Sequence, residues 1–363
     1  MVAGYTMGLE PSGRELLVVV VKGTFGIPAP GEPVQLTEAQ EPLVMADVFF
    51  GEPGKSAPRY EAEFAPRKPR CDVLLHATAH APGGRPAARV QVGASVGGWS
   101  KTFVVVGDRV WEAGVTGVGA SSPMPFVKMP ITYDRAFGGI DDRGEDTSRH
   151  AAFMPNPSGR GFHKQLRNEW VDGSPLPNTE EIRNPVRAVN GEYRPMSFGP
   201  IGRHWEPRAR YAGTYDDKWL EDHFPFLPPD FDEQYYQSAP VDQQVPHLRG
   251  GETIALANLT PAGQTSFTLP VFDAPIHFFP RKGDREDGQL VLDTITIEPD
   301  LDRFTLVWRA TRPIKRKMLE LAQVMVGKRS QEWWAEREKI EFPIQLIPAP
   351  RMKLAPSAES EEA

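Results

Sequence analysis

The sequence predicts a mainly β (α+β) fold. Its expected form is an antiparallel β-sandwich or barrel-like set of sheets, with a long irregular Pro/Gly-rich central segment and one or two C-terminal helices. Three observations carry this. The 37 prolines and 33 glycines in 363 residues punctuate the chain too often for a helical bundle. β-Branched runs with period-two alternation recur at both ends. Helical spacing appears only past residue 312.

Residues 14–25 (RELLVVVVKGTF) form the first expected strand, and its unbroken apolar run implies burial on both faces. A second spans 72–80, where Val73, Leu75, Ala77 and Ala79 alternate with Leu74, His76, Thr78 and His80. Val90, Val92, Ala94 and Val96 alternate with small or polar residues. Gly97-Gly98 then turns the chain into 99–106, and Gly107-Asp108 turns it again into 109–111, which reads as a meander over 87–111. From 134 to 248 the periodicity fades. Ten aromatics nevertheless fall between 198 and 236, which argues for an ordered irregular layer rather than disorder. Strands resume at 252–258, 265–269, 276–279, 289–298 and 303–309. Helices are expected at 313–326, with Met318, Leu321, Ala322 and Met325 as its stripe, and at 331–341, before Pro343. The chain therefore divides into an N-terminal β region (1–133), the irregular segment (134–248), a C-terminal β region with helices (249–345) and a flexible tail (346–363).

Forty-one Lys+Arg against 48 Asp+Glu give a net charge of −7, which argues against a nucleic-acid partner. The single cysteine, Cys71, excludes an intramolecular disulfide and disfavours a cysteine zinc site. Residues 1–11 have neither a basic nor an apolar signal region. The longest strongly apolar run, 16–21, is far short of the ~20 residues a membrane helix needs. A cytoplasmic protein without a membrane partner is expected.

The motifs that carry chemistry elsewhere are incomplete. Gly93-Ala94-Ser95-Val96-Gly97 matches a nucleophile elbow in letters, but Ser95 falls inside an alternating strand with no helix to follow. His76 and His80, if on a strand, stand roughly 13 Å apart, too far to share one ion. The acidic pairs Asp141-Asp142, Asp216-Asp217 and Asp230/Asp232 lack calcium-loop spacing and read as turns and caps. No catalytic residue, metal or cofactor is assigned. The aromatic cluster of 198–236 and Trp333-Trp334 instead supply the residue types that anchor protein interfaces.

Several ordered strings carry a resemblance. They are Arg59-Tyr60-Glu61, Ala65-Pro66-Arg67-Lys68-Pro69-Arg70, His80-Ala81-Pro82-Gly83-Gly84-Arg85-Pro86, Tyr133-Asp134-Arg135-Ala136-Phe137-Gly138-Gly139 and Asn156-Pro157-Ser158-Gly159-Arg160-Gly161-Phe162. Leu176-Pro177-Asn178, Gly213-Thr214-Tyr215-Asp216, Trp219, Pro229-Asp230-Phe231, Gln243-Gln244 and Gly250-Gly251-Glu252 continue the series. In this order, over about 15–310, the chain resembles a bacterial family first catalogued as domain of unknown function 2169. The resemblance implies a type VI secretion adaptor-chaperone, not an enzyme. Such a protein binds a toxic effector, often one with a PAAR-like domain, and helps load it onto the VgrG spike. On residue type, Phe137, Trp219, Phe231, Tyr235 and Trp333 are the expected partner contacts. Gly138, Gly139, Asn156 and Asn178 are read as shaping the backbone, with Arg135 tying a loop to a carboxylate such as Asp216. A hydrolase of an ester or glycan, or a carbohydrate-binding β module, is the alternative.

Overall fold

The computed structural model describes residues 1–115, 117–272, 275–314 and 320–328, and the backbone of 346–347. The principal strands are β1 (Val2–Leu9), β2 (Glu15–Gly26), β3 (Cys71–Leu75), β4 (Ala77–His80), β5 (Arg89–Val96), β6 (Trp99–Val106) and β7 (Lys128–Ile131). After the central segment come β8 (Thr253–Ala257), β9 (Gln264–Thr268), β10 (Pro275–Pro280), β11 (Glu286–Gln289), β12 (Val291–Glu298), β13 (Arg303–Pro313) and β14 (Leu321–Val326).

Three sheets organise them. The largest runs β1-β2-β13-β12-β3 and ends on Gln244–Val245, with all neighbours antiparallel except the parallel β12/β3 pair. A five-stranded sheet runs from Thr179–Glu180 through β6-β5-β8 to β9. A four-stranded sheet places β10 between β11 and β14, with Leu346–Ile347 outermost. The architecture is thus mainly β, as expected, with open sheets rather than a closed barrel.

The two larger sheets share one core. Leu17, Val19 and Val21 of β2, with Ile295, Ile297, Leu306 and Trp308, meet Val90, Val92, Ala94 and Val96 of β5 and Phe103 and Val105 of β6. This is sheet-on-sheet packing, with each strand offering alternate residues to the interior. β2 explains its unbroken apolar run. Leu16, Val18 and Val20 point the other way and are covered by Leu43 and Phe64. Strands from 1–133 and from beyond 249 therefore interleave in the same sheets.

Several expectations need correction. The strand expected over 72–80 breaks at His76, where the chain leaves the large sheet so that β4 can pair with β7. The β5–β6 hairpin forms in the expected register, Val96 opposite Trp99. The third meander strand does not form, because Trp111–Gly114 pairs with Gly117–Ala120 and β6 takes Thr179–Glu180 as its neighbour. The helix expected over 313–326 is absent where the structure describes it. Residues up to Pro313 continue β13 and Leu321–Val326 form β14. The run LAQVMV is buried on both faces, which erases the alternation that would separate strand from helix. Within the expected tail, Leu346–Ile347 pairs with Val324–Met325. The helix expected at 331–341, and Trp333 with it, lies outside the described residues.

Candidate functional site

The central segment has few ladders of its own, so side chains must hold it down. Asp72 on β3 is fully buried. Its carboxylate accepts from Lys68 Nζ at 2.7 Å, Gln237 Nε2 at 2.6 Å, Ser238 N at 2.8 Å and Ser238 Oγ at 2.9 Å. Arg208, also buried, donates Nε to the Tyr235 carbonyl (2.9 Å) and Nη1 to that of Ile201 (3.0 Å), and pairs with Glu61 at 2.5 Å. Gln243 Nε2 donates to the carbonyls of Val73 and Phe198, both at 2.8 Å. Trp205, fully buried, lies edge-on to Tyr133 at 5.3 Å between ring centroids. These ties fix the ends of residues 209–236.

Between the ties stands an exposed aromatic surface. Helix α1 (Asp217–Asp222) is capped by Asp216, whose carboxylate accepts from Trp219 N at 2.8 Å. Trp219 is the hub. Tyr215 and Phe224 meet it edge-on at 4.7 and 5.7 Å, and its indole Nε1 donates to the Phe226 carbonyl at 2.9 Å. Thr214 closes the loop by donating N and Oγ1 to Asp230, at 2.9 and 2.7 Å. The ring of Phe226 lies over Gly13, where a Cβ would fall 2.5 Å from Cδ1, so the surface abuts the β1–β2 turn. Around this hub Tyr215, Leu220, Phe224 and Phe226 are 55, 57, 62 and 46 % exposed. Asp216, Asp217, Glu221, Asp222, Asp230 and Asp232 are exposed around it, and Lys218 is the one lysine or arginine within 211–236. A rigid apolar patch inside a charged rim is the anatomy of a docking surface.

The expected contact residues divide. Trp219, Phe231 and Tyr235 are half-buried in this layer; Phe231 touches Tyr235 and Tyr236 at 5.9 and 5.3 Å. Phe137 is buried, edge-on to Phe153 and Tyr193, and presents no surface to a partner, which corrects its expected role. Phe224 and Phe226 belong to the aromatic cluster of 198–236 but not to the five expected contacts, and Leu220 to neither. The signal available was their place between prolines and acidic residues, which prevents them from joining any strand.

The motif residues gather in a separate knot. Asn156, fully buried, donates Nδ2 to the carbonyls of Tyr133 (2.9 Å) and Phe137 (3.0 Å). Gly138 (φ +149°) and Gly139 (φ +114°) pass so close that Cβ atoms there would lie 2.1 Å from the Asn156 carbonyl oxygen and 2.8 Å from that of Gly159. Asn178 donates Nδ2 to the Val106 carbonyl (3.1 Å) and Asp108 (2.9 Å). It accepts from Arg135 Nη1 at 3.0 Å. The expected Arg135–Asp216 tie does not form, because Arg135 is held by Asn178 while Asp216 is consumed as a helix cap. The knot also fixes Arg160, whose Nε donates to the Asp134 carbonyl at 3.1 Å.

Ser95 sits mid-strand opposite Ser100 and Ala255, not at an elbow before a helix. His76 and His80 make separate contacts. Burial lowers the His76 imidazole to about 4, between Phe50 and Tyr60, and His80 Nε2 lies 3.7 Å from Asp300. Asp141 accepts from the backbone of Lys164 and Gln165, and Asp232 caps Gln234. Among the described residues no group of three His, Cys, Asp or Glu could hold a metal ion, and no helix is long and apolar enough to cross a membrane.

A family described as an uncharacterized protein conserved in bacteria (DUF2169) matches residues 12–309. No curated protein and no solved structure matches the chain.

Proposed function

The chain belongs to that bacterial family, and from this premise we propose that it is a non-catalytic adaptor-chaperone. It binds an apolar segment of a type VI secretion effector and helps load it onto the VgrG/PAAR spike from the bacterial cytoplasm. The supporting observation is the aromatic surface of residues 213–226. Tyr215, Leu220, Phe224 and Phe226 stay exposed on a loop whose backbone is pinned by Asp216, Asp230 and the Trp219 indole. A pinned surface loses little conformational freedom on docking, so more of its apolar area converts to affinity.

Binding is the whole mechanism. A secreted effector whose translocation region exposes apolar side chains is stabilised by mass action when the adaptor covers them. Each exposed aromatic here offers roughly 100 Å² for burial, or about 2.5 kcal/mol before ordering costs. The acidic rim selects a partner with a basic border and raises the encounter rate at low salt. A few such anchors hold cargo yet permit its transfer.

The test is affinity capture of the tagged protein from its own bacterium during active secretion, with wild type beside Leu220→Ser/Phe224→Ser. A near-stoichiometric effector on the wild type, depleted about tenfold or more on the variant, is the expected result. An effector recovered equally on both would remove the surface from the mechanism. Recovery of none would remove the adaptor reading.

A further inference from the structure

Beside the motif knot, and apart from the aromatic surface, lies an open cavity of about 330 Å³. Val110, Met124 and Pro175 supply an apolar wall, and the hydroxyls of Ser121 and Ser122 stand at its edge. Three arginines line it, and their charges are not equally satisfied. Arg109 is buried, and Glu180 neutralises it at 3.0 Å. Arg135 spends Nη1 on Asn178 and the Met129 sulfur and stands 3.9 Å from Asp108, a loose pair whose carboxylate is largely in solvent. Arg160 spends Nε on the Asp134 carbonyl and makes no ion pair among the described residues. Burial, then the neighbouring Arg135 charge, lowers the pKa of Arg160, and the more distant charges of Asp108 and Asp134 offset this only in part. The Asp134 carboxylate faces away into the Ala57 amide at 2.8 Å.

Two guanidinium groups lining one cavity suit a planar anion, which can accept paired N–H donors. Asp108 at the rim sets the limit, because its negative charge opposes a dianion and tolerates a monoanion that displaces it from Arg135. The apolar wall suits the aliphatic part of a short extended peptide. We propose that this cavity is a carboxylate-binding site for an acidic peptide, with Arg135 and Arg160 as its two anion clamps. The carboxylate is either the peptide's C-terminal group or a Glu or Asp side chain. The proposal does not rest on the adaptor reading, because it concerns a different face and its own ligand.

The experiment titrates the purified full-length protein by calorimetry with an unlabelled, N-acetylated peptide, Gly-Gly-Val-Ala-Glu, in four forms: free acid, C-terminal amide, Glu→Gln, and both changes together. The doubly blocked peptide is expected to bind about tenfold or more weakly than the free acid, and the two singly blocked forms identify which carboxylate is clamped. Arg160→Gln is expected to weaken the free acid about tenfold with near-ultraviolet circular dichroism unchanged. Asp108→Asn, which keeps an acceptor for Asn178, is expected to tighten it roughly two- to fivefold, a gain that misfolding cannot imitate. Equal binding of all four peptides, or no saturable binding by any, would overturn the proposal. So would an unchanged affinity in folded Arg160→Gln, or inorganic phosphate competing better than acetate.

Discussion

Asp72→Ala tests the tether that holds the aromatic layer to the β framework. The substitution removes one carboxylate that serves four donors, three of them from Gln237 and Ser238 and one the buried ammonium of Lys68. Lys68 then keeps only hydroxyl acceptors, Thr294 Oγ1 at 3.0 Å and Ser238 Oγ at 3.5 Å. Breaking a buried pair on one side costs about 3–5 kcal/mol, because the surviving charge stays buried. That is a large share of the roughly 5–15 kcal/mol that holds a domain together. Urea unfolding followed by tryptophan fluorescence reads the loss as a fall in the midpoint. Lys68→Met/Asp72→Ala removes the stranded charge and is expected to recover at least about 1 kcal/mol of it. Hydrogen exchange at the Ser238 amide, which donates to Asp72, should accelerate in the single variant. A loss within about 1 kcal/mol in Asp72→Ala, or a double variant no better than the single, would show that this buried pair is not what holds the layer.

Two further outcomes follow from local geometry. His76 has a folded pKa of about 4 against 6.5 in an unfolded chain, because burial disfavours its charged form. Its stabilising effect is therefore complete above pH 6.5 and falls as pH drops toward 4, by about 3 kcal/mol in all. A His76→Phe variant should show a shallower stability slope than wild type across that window by urea titration; an identical slope would contradict the assignment. Gly138→Ala should abolish soluble folding, since its Cβ would lie 2.1 Å from a backbone oxygen, whereas Gly31→Ala, with open space around it at φ +85°, should cost only about 1 kcal/mol by the same assay.

The framework strands were legible because their residues obey local rules. β2 shows as an unbroken apolar run and β5–β6 as alternation across a glycine turn. Both are short-range patterns that any sheet of this kind must show. β14 was not legible, since burial on both faces hides its period. Sheet order was equally hidden, because β3 lies parallel beside β12 across more than two hundred residues of chain. In the central segment composition announced an ordered aromatic layer, but residue type could not separate Phe137 in the core from Phe224 on the surface. The difference arises from which backbone each ring follows. Asn156 and Gly138 draw Phe137 inward, while Asp216 and Asp230 hold the loop of Phe224 outward. The arginine pair of the cavity was present in two motif strings, Tyr133 to Gly139 and Asn156 to Phe162, whose meeting in space no spacing rule predicts.

In the proposed function the effector docks on residues 213–226. A photo-cross-linking amino acid placed at position 224, in cells actively secreting, tests it most directly. Glu32 serves as the control position. It is exposed and lies beyond the far end of β2 from Gly13, a strand of 12 residues and roughly 40 Å. One dominant cross-linked product containing a secreted effector is expected from position 224, and none of it from position 32. The same product from both positions, or from position 32 alone, would contradict it.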